Sequence, residues 1–246
     1  MRKKTKTFFY AGIDDATRCP CIGSIFISGV IADSRVIEYW KNLGVKDSKL
    51  VTPKRREILA ELIKNTSRKF VIKEITPELI DDKSFNLNEW EMIIVLRVLS
   101  GLMYDQDISL VYIDNWEVSN KKFIERLDFF SRSDVKSRLK SRGIDLELNK
   151  FRNILFKPGH RADEIYTIVG AASILSKTSS DKQYREYRKI YGDFGSGSPG
   201  DPKTRKFVWD NRKSTRDSVP IIRRSWLTYK VIRNLKDIRD DTKYRR

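Results

Sequence analysis

The chain is predicted to be an α/β protein, a sheet flanked by helices and followed by a small helical C-terminal lobe. Three observations predict it. Short β-branched and aromatic runs alternate with helix-length apolar patterns, two of those runs close on isolated acids, and a Gly-, Ser- and Pro-rich stretch from Gly195 to Pro202 precedes the last helices.

Phe8 to Ile13 and Ile22 to Ala32, separated by the turn Arg18-Cys19-Pro20, read as two neighbouring strands, so the acidic pair Asp14-Asp15 falls at a sheet end. Thr52-Pro53 opens an amphipathic helix whose apolar face is Ile58, Leu59, Leu62 and Ile63. Phe70 to Ile75 is a third strand, and Asn88 caps a core helix from Glu89 to about Met103. Leu110 to Asp114 is short and wholly apolar up to its final acid, as in a strand buried on both faces. Ser119 to Phe130 is helical. Arg132 to Lys150 is charged and broken by Gly143, which predicts a surface hairpin or loop. Asn153 to Phe156 is the last strand, and one helix then runs from Ala162 to about Tyr191. Its Gly170-Ala171-Ala172-Ser173 permits close approach of a sheet or another backbone. Pro202 starts a helix to Asp210, and a final helix extends from near Ser225 to about Ile238. Residues 1–191 are expected to form the main domain and residues 192–246 the lobe.

With 246 residues of which 39% are hydrophobic, one substantial core can form. Fifty Lys and Arg against 33 Asp and Glu leave a net charge of +17, which attracts polyanions and makes nucleic acid the expected partner. Cys19 and Cys21 are the only cysteines, which excludes a disulfide framework and fits no zinc pattern. No apolar run reaches the length of a membrane span, and Met1 to Lys6 is basic with no apolar region behind it. The expected location is therefore the cytoplasm, with no membrane partner.

Asp14, Asp15, Asp114 and Asp163 all sit in apolar surroundings within this cationic chain. Acids delivered by adjoining strand ends and a helix start are a rigid means of holding divalent metal ions against a phosphate backbone. Two Mg²⁺ ions about 3.5–4 Å apart suffice to hydrolyse a phosphodiester. Taken singly, each aspartate reads as a helix or turn cap before it reads as a metal ligand.

The chain resembles the type 2 ribonucleases H (ribonuclease HII), most closely their archaeal form. The resemblance rests on Gly12-Ile13-Asp14-Asp15-Ala16, on Val45-Lys46-Asp47-Ser48-Lys49 with Thr52-Pro53-Lys54-Arg55-Arg56, and on Asn86-Leu87-Asn88-Glu89. It continues through Val111-Tyr112-Ile113-Asp114, Ala162-Asp163-Glu164-Ile165-Tyr166 and Ala171-Ala172-Ser173-Ile174-Leu175-Ser176-Lys177. Gly195-Ser196-Gly197 with Asp201-Pro202-Lys203-Thr204, and Arg223-Arg224-Ser225-Trp226, complete it in family order from about Phe8 to Val231. The resemblance implies a ribonuclease H-like mixed sheet and endonuclease action on the RNA strand of RNA–DNA hybrids, leaving 5′-phosphate and 3′-hydroxyl ends. It also implies a two-metal Mg²⁺ or Mn²⁺ site at Asp14, Asp15, Asp114 and Asp163, a C-terminal lobe facing nucleic acid, and a monomer.

Three departures from the family pattern shape the expected activity. Asp15 stands where the family has Glu, one methylene longer, which shifts metal spacing or preference. The Gly-Arg-Gly that approaches the ribose 2′-hydroxyl at an RNA-to-DNA junction is here Thr17-Arg18-Cys19, whose side chains are expected to forbid easy use of positive φ. Ser198 replaces a tyrosine that stacks beyond the junction, a loss on the order of 1–3 kcal/mol by analogy with aromatic stacking on single strands. Weakened or altered junction selectivity follows, with single embedded ribonucleotides cut least well. A catalytically silent paralogue that binds hybrid or double-stranded RNA is the rival reading.

By resemblance, Lys46, Lys49 and Lys177 border the site and hold phosphates, while Ser48 and Ser173 supply hydroxyls; each lysine also reads as an ordinary solvated charge. Arg18 is placed to fork onto a phosphate or sugar oxygen, and Arg224 joins the nucleic-acid-facing set. Asp181 is either added negative charge behind the site or a solvent-facing acid. His160, the only histidine, is either a proton shuttle or part of a loop surface. Tyr184, Tyr187 and Tyr191, interleaved with Arg185 and Arg188, either grip a duplex backbone or divide between core and solvent. Asp241 to Arg246 carries no glutamine-and-aromatic motif for a sliding clamp, so clamp binding is not expected.

Overall fold

The computed structural model describes residues 8–103, 108, 110–146, 151 and 153–238. The expectations for residues 1–6, 147–150 and 240–246 lie outside the described residues. Strands β1 (Phe9–Ala16), β2 (Ile25–Asp33), β3 (Lys69–Ile75), β4 (Leu110–Asp114) and β5 (Leu155–Gly159) form a sheet in the order β3-β2-β1-β4-β5. β1 pairs antiparallel with β2, from Phe9 opposite Asp33 to Ala16 opposite Phe26, and β2 pairs antiparallel with β3. β1 and β4 run parallel with Ile13 beside Ile113, as do β4 and β5. The sheet is therefore mixed, and its parallel half brings the ends of β1 and β4 to the same edge.

Helices α1 (Ser34–Asn42), α2 (Pro53–Thr66), α3 (Pro77–Asp81) and α4 (Leu87–Leu102) precede β4. Between β4 and β5 lie α5 (Asn120–Phe129) and α6 (Ser133–Lys140), and after β5 come α7 (Ala162–Ile165), α8 (Thr167–Tyr191), α9 (Pro202–Asp210) and α10 (Leu227–Arg233). α4 covers one sheet face, where Met92, Val95, Val98, Leu99 and Leu102 share a core with Ala11, Ile13, Ile27, Ile31, Val111 and Ile113. α8 covers the other, where Ile168, Val169, Ala171 and Leu175 meet Val30, Ala32, Leu59 and Ile63.

Alternation along β1 distributes its side chains between these helices. A Cβ on Gly12 would come within 2.3 Å of the Ile168 carbonyl oxygen, and one on Gly170 within 2.9 Å of the Lys46 Cα. These two glycines are what let α8 lie directly against β1 and the loop after Val45. Buried hydroxyls then pin the contact: Ser28 Oγ donates to the Ala172 carbonyl at 3.0 Å, Ser176 Oγ donates to the Asp14 carbonyl at 3.0 Å, and the two hydroxyls also contact each other.

Several boundaries differ from expectation, each for a local reason. Helix α4 is capped at Asn86 rather than Asn88, because Asn86 and Glu89 form a reciprocal capping box. The charged stretch after Arg132 contains α6, since Val135 and Leu139, one helical turn apart, suffice as buried anchors. The helix expected from Ala162 to Tyr191 is broken at Tyr166, whose extended backbone (φ −110°, ψ 112°) divides α7 from α8. The last strand begins at Leu155 and tolerates Pro158 because β5 is an edge strand. α1, capped by Asp33, was not anticipated, and α2 buries Arg56, Leu59, Ala60 and Ile63 while leaving Ile58 exposed. Ile22 lies outside β2 and instead forms a bridge with Ile222.

That bridge belongs to a third core, in which Cys21, Ile22 and Tyr184 pack with Phe194, Val208, Val219, Ile221, Ile222, Tyr229 and Ile232. The C-terminal helices are thus built around the β1–β2 turn and the end of α8, with the Tyr184 hydroxyl donating to the Ile22 carbonyl at 2.8 Å. Among the described residues no helix is long and apolar enough to cross a membrane.

Candidate active site

The parallel register of β1 and β4 sets Asp14, two residues before the end of β1, beside Asp114 at the end of β4. Odd positions of β1 face α4 and even positions face α8, so Asp14 turns toward α8, where Ser173 hydrogen-bonds it, and Asp15 toward α4 and Arg18. The Asp15 amide donates to Asp14 Oδ1 at 2.8 Å. Asp114 Oδ1 accepts from the Ala162 amide at 2.8 Å, which ties the start of α7, and with it Asp163, to the end of β4. All four aspartates line one cavity of about 270 Å³, together with Ala16, Thr17, Arg18, Cys19, Pro20, Ser48, Lys49, Ser173 and Lys177.

The charge here is unbalanced. Burial pushes the Asp14 carboxyl well above the usual carboxylate range, and the neighbouring Asp15 and Asp114 push it further. Burial raises Asp15 to about 6 against the pull of Arg18, and burial with Asp114 and Asp47 raises Asp163 to about 6. Asp114 is raised too, chiefly by burial, although the Ala162 amide opposes it. Lys49 responds in the opposite sense: burial works against its ammonium, yet Asp47, Asp163, Asp14 and Asp114 together lift its pKa above the ordinary value. Carboxyls raised by burial and mutual repulsion in one cleft mark a candidate functional site.

The donor set is hard oxygen with excess negative charge, the chemistry that suits Mg²⁺ or Mn²⁺. Among the described residues no group of three or more His, Cys, Asp or Glu side chains is gathered as a ready metal cage. The aspartates line an open pocket, so the donor chemistry fits a cation bound in part by these residues and in part by a substrate phosphate.

The remaining sequence candidates divide. Ser48, Lys49, Ser173 and Lys177 line the pocket, and Ser173 Oγ donates to Ser48 Oγ at 3.0 Å. Lys46 is exposed and does not line it; Ser198 is exposed in the loop before α9; Arg224 lies just before α10, donating to the Ser214 and Thr215 carbonyls at 2.7 Å. Arg18 lines the pocket, but its fork is already held by α4, with Nε on Glu91 Oε1 at 2.7 Å and Nη2 on Asn88 Oδ1 at 2.6 Å. Thr17 overturns its expectation: it adopts φ +65°, the left-handed conformation a glycine would take, and its hydroxyl donates to the Ser24 carbonyl at 2.8 Å. His160 is exposed and contacts the Asn115 carbonyl through Nδ1 at 3.1 Å.

Sequence reasoning missed four contributors. Asp47, buried beside Asp163, caps the Ser48–Leu50 turn by accepting from the Lys49 amide. Glu91, fully buried behind Arg18, has its carboxyl pushed up to about 8, by burial first and by Asp15 second. Arg56 holds the Ser48 and Val51 carbonyls and pairs at 2.5 Å with Asp181, which also accepts from Lys177 Nζ at 2.5 Å. Arg223 clamps the β1–β2 turn from behind. An acid within the apolar run Trp90 to Leu96 was the available signal for Glu91; Arg56 and Arg223 stand in the family stretches, but nothing in those stretches names the backbone carbonyls each guanidinium grips.

Residues 11–229 match the family model described as Ribonuclease HII. Ribonuclease HII of Thermococcus sibiricus is 37% identical to this chain over 225 residues, covering 90% of this chain and 89% of that protein. The ribonuclease H2 structure from Pyrococcus horikoshii OT3 matches with a TM-score of 0.75 at 31% identity, covering 92% of this chain and 97% of that one. A chain of the PCNA:RNase HII complex from Archaeoglobus fulgidus matches with a TM-score of 0.71 at 27% identity, covering 94% and 99% respectively.

Proposed function

The chain belongs to the ribonuclease HII family and is a type 2 ribonuclease H; from that premise we propose that it cuts the RNA strand of RNA–DNA hybrids at the pocket lined by Asp14, Asp15, Asp114 and Asp163, with divalent metal assistance. The observation that carries this reading is the convergence of four aspartates from two parallel strands and a helix start, inside a chain of net charge +17. These aspartates would hold Mg²⁺ or Mn²⁺, which when bound neutralises phosphate charge and makes water a competent nucleophile. Lys49 and Lys177, on the rim of the same pocket, attract the backbone phosphates, and Asp181 holds the Lys177 ammonium in place. Ser173 orients the Asp14 carboxyl, and Asp47 sets the loop that carries Ser48 and Lys49.

The same reading includes weakened junction selectivity. Thr17 and Cys19 place side chains in the pocket wall where the family has glycines, and Arg18 is bound to Glu91 and Asn88 instead of standing free. Ser198 offers no ring for stacking. The test is to incubate labelled all-RNA/DNA hybrid, and a duplex with one embedded ribonucleotide, with Mg²⁺ or Mn²⁺ beside an Asp14→Asn control. Metal-dependent nicking of the hybrid, absent in the control and weaker on the single ribonucleotide, is expected. Binding without cleavage by the wild type would instead establish a silent paralogue, and equal cutting of both substrates would remove the selectivity argument.

A further inference from the structure

The Thr17–Cys19 turn walls the candidate active site, yet little within it explains its shape. Thr17 is β-branched and sits at φ +65°, a conformation such residues rarely adopt and keep only where their surroundings over-determine it. Its own hydroxyl contacts the Ser24 carbonyl at 2.8 Å and the adjacent Ala16 carbonyl at 2.5 Å. The decisive contacts come from a residue more than two hundred positions later. Arg223 is fully buried, and its guanidinium donates through Nε to the Gly23 carbonyl at 2.7 Å, through Nη1 to the Arg18 carbonyl at 2.8 Å and through Nη2 to the Thr17 carbonyl at 2.7 Å.

The surrounding segment repeats the pattern. The Arg223 amide donates to the Cys21 carbonyl at 3.0 Å, the Gly23 amide donates to the Ile221 carbonyl at 2.8 Å, and Trp226 Nε1 donates to the Cys19 carbonyl at 3.2 Å. The Arg223 guanidinium also lies 5.3 Å from the centre of the Trp226 ring. Among the described residues no carboxylate forms an ion pair with Arg223, so its charge is met by carbonyl dipoles of the turn. A planar fork with fixed donor directions is specific to arginine and cannot be reproduced by lysine.

We propose that Arg223 is a positioning residue: from the C-terminal segment it holds the Thr17–Cys19 turn with Thr17 in the left-handed conformation and thereby shapes the wall that selects the substrate at the aspartate pocket. The consequence for selectivity rests on the proposed nuclease activity; the hold on the turn does not. It assigns to the lobe a role inside the active site without requiring the lobe to touch the reacting phosphate.

Three measurements on the full chain test it. In Arg223→Lys, hydrogen exchange of a peptide covering residues 16–24 is expected to rise while that of α8 stays unchanged. Cleavage of hybrid is expected to lose about 10- to 100-fold in kcat/KM, carried mainly by KM, as for a misplaced positioning group. Adding Thr17→Gly to Arg223→Lys is expected to restore kcat/KM to within about threefold of Thr17→Gly alone, because glycine holds positive φ without a clamp, whereas Thr17→Ala restores nothing. If Arg223→Lys is too unstable to purify, recovery of folding in the double variant supports the clamp and its failure overturns it. Unchanged exchange in residues 16–24, or no rescue by glycine, also overturns it. Should the wild type fail to cut hybrid at all, the proposed activity falls while the exchange experiment still decides the clamp.

Discussion

Asp114 Oδ1 accepts the Ala162 amide at 2.8 Å, so one strand-end carboxylate both faces the pocket and caps the helix that carries Asp163. The start of α7, and with it Asp163, is thereby positioned by Asp114. An Asn at this position keeps an accepting oxygen and an Ala does not, so Asp114→Asn and Asp114→Ala should both lose hybrid cleavage but differ in stability. The Ala variant is expected to be less stable than the Asn variant by about 1 kcal/mol in urea unfolding, the usual worth of a lost cap. Equal stabilities would show that the contact does not anchor α7.

The raised carboxyls make a pH prediction with a definite sign. Asp15 and Asp163 hold their protons to about pH 6 in the fold, against an ordinary value of 3.8 that applies once the chain unfolds. Between those values the folded state binds more protons, so the stability of the metal-free protein should fall as pH rises through this window and level off above it. Divalent cations need the ionised carboxylates, so added Mg²⁺ should raise Tm more at pH 7.5 than at pH 5. A Mg²⁺ effect of equal size at both pH values, read by differential scanning calorimetry, would contradict a cation site here.

Gly12→Ala should be costly despite its small volume. The added methyl meets the Ile168 carbonyl oxygen at 2.3 Å, and neither the sheet nor the helix backbone can give way locally. A loss of about 3 kcal/mol is expected, with reduced cleavage because α8 carries Ser173 and Lys177 into the pocket. A near-neutral unfolding midpoint would mean that α8 shifts freely against β1.

Arg56→Met removes the partner of Asp181 and the donors to Ser48 and Val51. Breaking one side of a largely buried pair costs about 3–5 kcal/mol, so the variant should unfold at markedly lower denaturant. Asp181 keeps Lys177 as a partner in that variant, so adding Asp181→Leu in the same chain should recover none of that loss. Lys177, deprived of Asp181 in the double variant, is expected to raise KM for hybrid while kcat changes less.

Much of the fold was legible because its signals are local. β4 ends on Asp114 as its apolar run implied, α5 begins after a Ser119 cap, and α9 spans Pro202–Asp210 as proline and loop composition foretold. Less was legible where two weak anchors sufficed, as in α6, or where a single backbone twist at Tyr166 interrupts an otherwise continuous helical pattern. The positive φ of Thr17 ran against its residue type, because the contacts that impose it come from Arg223.

What the sequence determined by itself was chemical: which carboxylates stand in apolar surroundings, how strongly basic the chain around them is, and which runs must be strand or helix. These are properties of residue type and short-range periodicity, and they need no knowledge of distant partners. Only the tertiary structure decided how the acids and the loops around them are held: that Asp114 caps α7, that Arg18 is bound to Glu91, and that Arg56 and Arg223 grip the two loops flanking the pocket. The physical reason is that a buried guanidinium is satisfied by backbone carbonyls, and a carbonyl is the same at every residue, so nothing in the order of side chains records which ones it will find.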